Sequence, residues 1–404
     1  MSLQIKFLLA NIGAIGIMVA VFFIIIYPQI SERDTQAQSD NKERPITIDF
    51  QNTASVATTN VFLSTTSVQV EKITVAEPTK TTEEIPVSRP KMETKQTPEN
   101  RKAQSGSEVR RVKRPYPFAP QPLGLINEET RLALVNILCA AKNDSLRPIS
   151  GSGVIIDPRG VILTNAHVAQ YVLLSKNPDV NLSCVIRGGA PARPLWNAEI
   201  LFIPPVWVEE HANEITLTRA TSTGEHDYAL LRITGTSDGS QMPIGLAYLP
   251  PDTREAIGFI DDPVLVAGYP AEFIGGLMSQ FNLFPVSSFT NIKDLLTFTK
   301  DTIDVLSLGG VIEAQSGSSG GPVTNAWGRL VGIITTTSEG ATTAQRDLRA
   351  VTLSYINRDL TLQSGFDLQT TLGGDTAAQA AAFNSGDAQV LIKLLSDKIG
   401  VRSN

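Results

Sequence analysis

From Asn127 to about Asn357 the apolar residues come in short, strand-length runs broken by Gly, Pro, Asn and Asp. After a short entry helix over Glu128–Leu134, Ala133–Cys139 reads as a strand. Gly151–Thr164 reads as two strands joined by a tight turn at Asp157-Pro158-Arg159-Gly160. Asn165–Gln170 then reads as a helical turn, followed by strands over Leu182–Arg187, Glu199–Ile203, Glu214–Thr218 and Tyr228–Ile233. A longer connection around Gly235–Asp252 precedes a second set: Pro263–Gly268, Phe281–Val286, Thr302–Leu306, Gly321–Thr324, Leu330–Thr335 and Arg349–Thr352. Many short strands with turn residues between them and little helix point to an all-β fold, an antiparallel barrel or sandwich. Two sets point to two small barrels. In the tail, Leu391, Ile392, Leu394, Leu395 and Ile399 share one stripe, which predicts a helix over Ala388–Ile399 packed on the body.

The pattern before residue 123 is different. Phe7–Tyr27 carries no charge and one polar amide, Asn11, so it is long and apolar enough to span a bilayer as a helix. No A-x-A-like cleavage site stands near Pro28, which favours an uncleaved anchor over a removed signal peptide. Lys6 precedes the run while Arg33, Lys42 and Arg44 follow it, so basic residues do not fix the orientation. A short cytoplasmic head with the body exported is the expectation, because large domains translocate largely regardless of charge. Residues 31–122 are rich in Thr, Ser, Pro, Glu, Gln and Lys and cannot bury enough apolar surface to fold, so they read as a disordered stalk. The expected organisation is an anchor over 1–30, a stalk over 31–122, a body over 123–360 and a tail over 361–404. The two barrels are expected at about 130–235 and 255–357.

Composition narrows the chemistry. The 404 residues carry a net charge of −6, which gives no reason to expect nucleic acid. Three histidines, His167, His211 and His226, and two cysteines, Cys139 and Cys184, leave little for a metal site, and neither CxxC nor HExxH occurs. No metal and no cofactor are expected. Cys139 and Cys184 fall on two strand-like runs; a disulfide and two buried thiols are equally compatible with that placement.

One stretch stands out: Gln315-Ser316-Gly317-Ser318-Ser319-Gly320-Gly321-Pro322, between two apolar strands. A serine hydroxyl is a poor nucleophile unless a base takes its proton and donors bind the charge that develops on the attacked carbonyl. Glycines let successive backbone N–H groups converge on one point. A base candidate is His167, placed directly after a strand. A carboxylate candidate is Asp227, which opens the apolar strand Tyr228–Ile233. A buried carboxylate accepting from imidazole Nδ1–H fixes the tautomer that leaves Nε2 free to take a proton. His226 should project away from Asp227 across the strand; it and His211 are assigned no role.

Together, Gly151-Ser152-Gly153 with Val161–His167, Asp227–Leu231 and Gly317–Pro322 resemble the trypsin-like (chymotrypsin-fold) serine protease family, in the style of bacterial HtrA/Deg-type proteases. The resemblance spans roughly Ala133–Asn357 and keeps the family's order of His, Asp and Ser. It implies two six-stranded antiparallel barrels with the site between them. It implies Ser319 as nucleophile, His167 as general base then acid, Asp227 as orienting carboxylate, and the N–H groups of Gly317 and Ser319 as oxyanion hole. By the same resemblance Glu313, Gln315, Ser316 and Thr335–Thr337 (Thr336 among them) line the pocket for the residue before the scissile bond; Glu313, if it pointed inward, would favour a basic side chain. HtrA-type relatives usually carry a PDZ domain after the protease, and the tail here is expected to be too short for one. The implied activity is a membrane-tethered serine endopeptidase acting on polypeptides outside the cytoplasm. The alternative is a catalytically silent, protease-like binding or sensor module. Nothing in the sequence sets the oligomeric state.

Overall fold

The computed structural model describes residues 111, 114–141, 146–217, 223–255, 257–271, 282–299, 302–337 and 345–400, without the side chains of 336 and 337. All of these fall within the unit Pro90–Asn404. The apolar run Phe7–Tyr27 and the stalk up to residue 110 lie outside the described residues. Among the described residues no helix is long and apolar enough to cross a membrane.

An entry helix, α1 (Leu123–Ala133), runs directly into β1 (Leu134–Ala141). It starts five residues before the predicted Glu128, just behind Pro122, where a fixed φ suits a helix start. β2 (Ile149–Asp157) and β3 (Val161–Thr164) form the predicted hairpin, and Gly160 takes the φ of +91° that its turn needs. Helix α2 (Ala166–Leu174) follows at once. β4 (Leu182–Gly188), β5 (Arg193–Phe202), helix α3 (Pro205–His211) and β6 (Ala229–Thr236) complete the first body. Its strands close into a six-stranded antiparallel barrel in the order β1-β2-β3-β6-β5-β4. Of the strand expected at Glu214–Thr218, the described residues Glu214–Leu217 form no strand: Ala212–Glu214 is a 3₁₀ turn. Trp207, Val208, Ala212 and Ile215 are all buried in the barrel core, so their spacing follows a helical face, not a strand.

The second set comprises β7 (Pro263–Gly268), β8 (Val286–Asn291), β9 (Asp294–Leu296), β10 (Val305–Gly309), β11 (Pro322–Asn325), β12 (Leu330–Thr337) and β13 (Leu348–Thr352). Two predicted strands, Phe281–Val286 and Thr302–Leu306, are displaced to β8 and β10. The ladder here is an open seven-stranded sheet, β8-β7-β11-β12-β13-β10-β9, and not the closed six-stranded barrel expected. Its two edge strands are neighbours in sequence. Between them Ile292 N–H turns to Asp262 O and Lys293 N–H to Ser307 O, so one bent stretch passes from β7 to β10 without pairing with itself.

The apolar runs are nearly continuous in β3 and β6 because both faces of these strands are covered. Ile162 and Leu231 point into the first barrel's core. Val161, Leu163 and Leu230 face a second core shared with Leu330 and Ile333 of β12 and Val351 of β13. That shared core fixes the two bodies against each other, at about 1.5–3 kcal/mol per large aliphatic side chain buried. Four helices follow β13, where one was predicted: α4 (Leu353–Ser364), α5 (Leu368–Gly373), α6 (Thr376–Ser385) and α7 (Asp387–Lys398). α7 matches the predicted helix and puts Leu391, Ile392 and Leu395 into the first barrel's core. α6 is half Ala, with little polar–apolar contrast for a pattern to reveal. Cys139 on β1 and Cys184 on β4 are directly paired across the ladder and form a disulfide.

Candidate active site

His167 is the second residue of α2, delivered by β3; Asp227 sits two residues before β6, which pairs with β3. The sheet register therefore brings the two together. Asp227 is fully buried, and its carboxylate is surrounded by donors. Oδ1 accepts the backbone N–H of His167 at 3.0 Å; Oδ2 lies 2.8 Å from His167 Nδ1 and accepts the Thr335 hydroxyl at 2.8 Å. Asn165 Nδ2 donates to the Asp227 carbonyl at 2.8 Å. A carboxylate that accepts at Nδ1 makes Nδ1 the protonated nitrogen and leaves Nε2 as the lone-pair site.

Electrostatics follow from that geometry. Burial opposes a charge on Asp227, but the His167 charge, its two hydrogen bonds and Thr335 outweigh it and hold the carboxyl below its usual range. Burial also opposes the His167 imidazolium; Asp227's charge and hydrogen bond outweigh it and raise the imidazole above its ordinary value. Thr335 was expected in a substrate pocket. It is 3 % exposed and bound to Asp227 instead, at the point where β12 passes beneath the carboxylate. The side chain of Thr336 lies outside the described residues.

The serine loop is clamped to the first barrel through Ser152. Ser152 N–H donates to Ser319 O at 2.8 Å, its hydroxyl donates to Gly317 O at 2.7 Å, and that hydroxyl accepts Tyr269 N–H at 2.9 Å. Ser152 O in turn accepts the Thr164 hydroxyl, three residues before His167. Gly320 has φ +85°, and a Cβ there would stand 2.1 Å from Ser152 O, so only glycine fits this crossing. Gly317 has φ +99°, and a Cβ would stand 2.6 Å from Tyr269 O. The chain thus turns sharply on both sides of Ser319, which is left partly exposed. Ser318, Gly320 and Gly321 N–H groups bond to Gln315 O, Ile334 O and Ser318 O. Those of Gly317 and Ser319 reach no protein acceptor among the described residues. No hydrogen bond closes between Ser319 Oγ and His167 among them either.

The loop's remaining polar groups are buried and unpartnered. Both carboxyl oxygens of Glu313, both amide atoms of Gln315 and the Ser318 hydroxyl meet no hydrogen-bond partner, whereas Ser316 is exposed. Glu313 is 0 % exposed, so it is not an outward loop residue. Burial pushes its carboxyl from 4.5 up to about 7, against a weaker pull from its own backbone N–H and the nearby Ser288 hydroxyl. The unfolded chain therefore loses this proton above about pH 4.5 while the folded chain keeps it to about 7, and stability falls as pH rises through that window. The loss amounts to about 3 kcal/mol. Glu313→Gln should abolish it: denaturant midpoints followed from about pH 4 to about pH 8 become flatter than those of the parent. An unchanged slope would show that Glu313 finds a partner. Among the described residues no group of three or more His, Cys, Asp or Glu side chains is placed to hold a metal ion.

Sequence reasoning missed three supports of this site. Thr335 lies in a run of threonines with nothing to single it out. Ser152 and Asn165 stand in the motifs quoted above, but their clamping bonds depend on partners far along the chain.

Comparison with known proteins bears on this arrangement. No curated protein matches the chain. Among solved structures, the serine endoprotease from Yersinia pestis is similar at 21 % identity and a TM-score of 0.38, covering 61 % of this chain and 69 % of that one. The profile of the trypsin-like peptidase domain matches residues 151–333, from the Ser152 clamp through β12. That segment is similar to a trypsin-like peptidase domain, and the match supports a serine-type peptidase.

Proposed function

We propose that the chain is a serine endopeptidase that works through Ser319, His167 and Asp227. Ser319 Oγ attacks the scissile carbonyl while His167 Nε2 takes its proton. The carbonyl oxygen, now negative, is bound by the N–H groups of Gly317 and Ser319. His167 gives the proton to the departing amine, leaving an acyl group on Ser319. Water, activated by the same histidine, then releases the acid. The observation that carries this reading is the His167–Asp227 pair, whose hydrogen bonds leave Nε2 as the basic nitrogen. The N–H groups of Gly317 and Ser319 support it, because those of Ser318, Gly320 and Gly321 donate within the protein and these two do not among the described residues. The test is digestion of an unfolded polypeptide by the full chain and by Ser319→Ala. Cleavage that survives the substitution would overturn the reading.

A second reading, a binding or sensor module that does not turn over, draws on the open Ser319–His167 contact. Such contacts often tighten only with substrate bound, so the open contact weighs little against catalysis.

We further infer that the body is tethered to a membrane and exported. The support is the uncharged run Phe7–Tyr27, the Ser/Thr/Pro-rich stalk and the Cys139–Cys184 disulfide, a bond that persists in oxidising compartments. Alkaline extraction should leave the full chain with the membrane fraction. Release into the soluble fraction would contradict the tether.

A further inference from the structure

Two histidines have no part in the reaction above. His211 stacks on Trp207 within its own helix, at 4.7 Å between ring centroids. His226 is different: it directly precedes Asp227 and has φ +57°. A left-handed conformation at a residue with a Cβ costs about 1 kcal/mol or more and persists only where surroundings impose it. Helix α4 imposes it here. The His226 N–H donates to the Tyr355 hydroxyl at 3.0 Å, and its Nδ1 lies 2.9 Å from Asp359 Oδ1. Gln363 Nε2 donates to Asp359 Oδ2 at 3.2 Å. Tyr355, Asp359 and Gln363 stand four residues apart, so they form a single stripe on α4.

That stripe is itself held from several sides. Thr352 caps α4 by accepting Tyr355 N–H at 3.1 Å. Phe298 meets the Tyr355 ring edge-on at 4.9 Å. Arg358 pairs with Asp304 and Glu255. Two histidine–carboxylate pairs thus stand in series, Asp359 with His226 and Asp227 with His167, and one peptide bond joins them.

We propose that His226 is a positioning residue for the peptidase reaction: its links to Asp359 and Tyr355 hold the Asp227 carboxylate in register with His167, so that helix α4 supports the active site. The proposal rests on the reading of His167 and Asp227 given above. The charged groups around His226 are acidic. Glu225 Oε1, on its own loop, lies 4.0 Å from Nε2; Asp359 faces it from α4; Glu210 on α3 adds negative charge from farther away, while Asp304 before β10 is paired with Arg358 of α4. The Tyr355 and Tyr228 hydroxyls are held neutral by burial. Burial disfavours the imidazolium of His226, but Asp359, Glu225 and Glu210 outweigh it and raise its pKa.

The test is the titration of His167, read by nitrogen NMR of the imidazoles in the folded full chain, beside kcat and KM counted per fluorophosphonate-titrated site. Asp227 raises the His167 pKa, so a carboxylate that has slipped out of register raises it less. In Asp359→Asn the His167 pKa should fall toward the ordinary histidine value. The kcat should drop about 10- to 100-fold, as loss of an outer support does elsewhere, with KM unchanged. His226→Asn, whose side chain tolerates the left-handed conformation, should do the same, and the double variant should lose no more than either single one. Gln363→Ala, which removes an amide that lies 3.2 Å from Asp359 Oδ2 and 3.3 Å from His226 Nδ1 but leaves the His226–Asp359 pair in place, should move His167 the same way by less. An unmoved His167 titration in folded variants, including one with a lowered Tm, would overturn the proposal and leave α4 as packing. Because the titration needs no turnover, this failure is distinct from a failure of the wild-type chain to react with fluorophosphonate, which would instead sink the hydrolytic reading.

Discussion

Ser319→Ala is expected to lower kcat for polypeptide hydrolysis by about a million-fold and to leave the fold intact. The first half follows from the mechanism: without Oγ there is no acyl intermediate, and only binding and the oxyanion donors remain. The second half follows from how the loop is held. Its clamps are backbone atoms, Ser319 O on Ser152 N–H and Gly320 N–H on Ile334 O, together with the Ser152 hydroxyl on Gly317 O. None involves the Ser319 hydroxyl, which is partly exposed and anchors nothing among the described residues. Circular dichroism and Tm should therefore match the parent. A loss of activity accompanied by a large loss of Tm would mean that the serine is structural, and the substitution would then say nothing about catalysis.

Asp227→Asn should cost about ten-thousand-fold in kcat, through the tautomer of His167. The carboxylate now accepts at both oxygens: Oδ1 from the His167 backbone N–H, Oδ2 from Nδ1 and from Thr335. An asparagine has one oxygen to offer. If that oxygen keeps the backbone N–H, the amide NH₂ faces Nδ1 and forces it to accept; the ring proton then moves to Nε2, which can no longer take the serine's. If the amide is flipped, NH₂ abuts the backbone N–H of His167. Thr335 can turn its hydroxyl to accept from the NH₂, so the first arrangement is the better satisfied one. The acid limb of kcat/KM should also move. It reports the raised His167 pKa in the parent and shifts to lower pH once the carboxylate charge is gone. A variant of near-parental activity would show that Asp227 only fills space.

Much of this architecture was legible in the chain because local signals and tertiary demands agreed. The β2–β3 hairpin has its turn residues, β6 is apolar because it is covered on both faces, and the glycines beside Ser319 stand where a Cβ would collide. The misplacements have physical causes. Ile215 is buried at helical spacing from Trp207, Val208 and Ala212, and over a few residues that spacing resembles a strand. β8 is poor in apolar residues because it lies at an open edge of the sheet, and β9, at the other edge, is only three residues long. Helix α4 puts Leu353, Ile356 and Leu360 into the shared core, but it continues directly from β13, so its apolar residues read on from the strand's without a break. Of the site, the residue types and their order could be read from the sequence. The partners that make them work could not: Thr335, Ser152 and Asp359 act across separations of 108, 165 and 133 residues.

The central claim is that Ser319 is a nucleophile activated by His167. A serine-directed fluorophosphonate tests it without knowledge of the natural substrate. The folded full chain, digested after labelling and mapped by mass spectrometry, should carry one adduct, on Ser319. His167→Ala should suppress that adduct and Ser319→Ala should abolish it. A folded wild-type chain that takes no label, or takes it on another residue, would contradict the account.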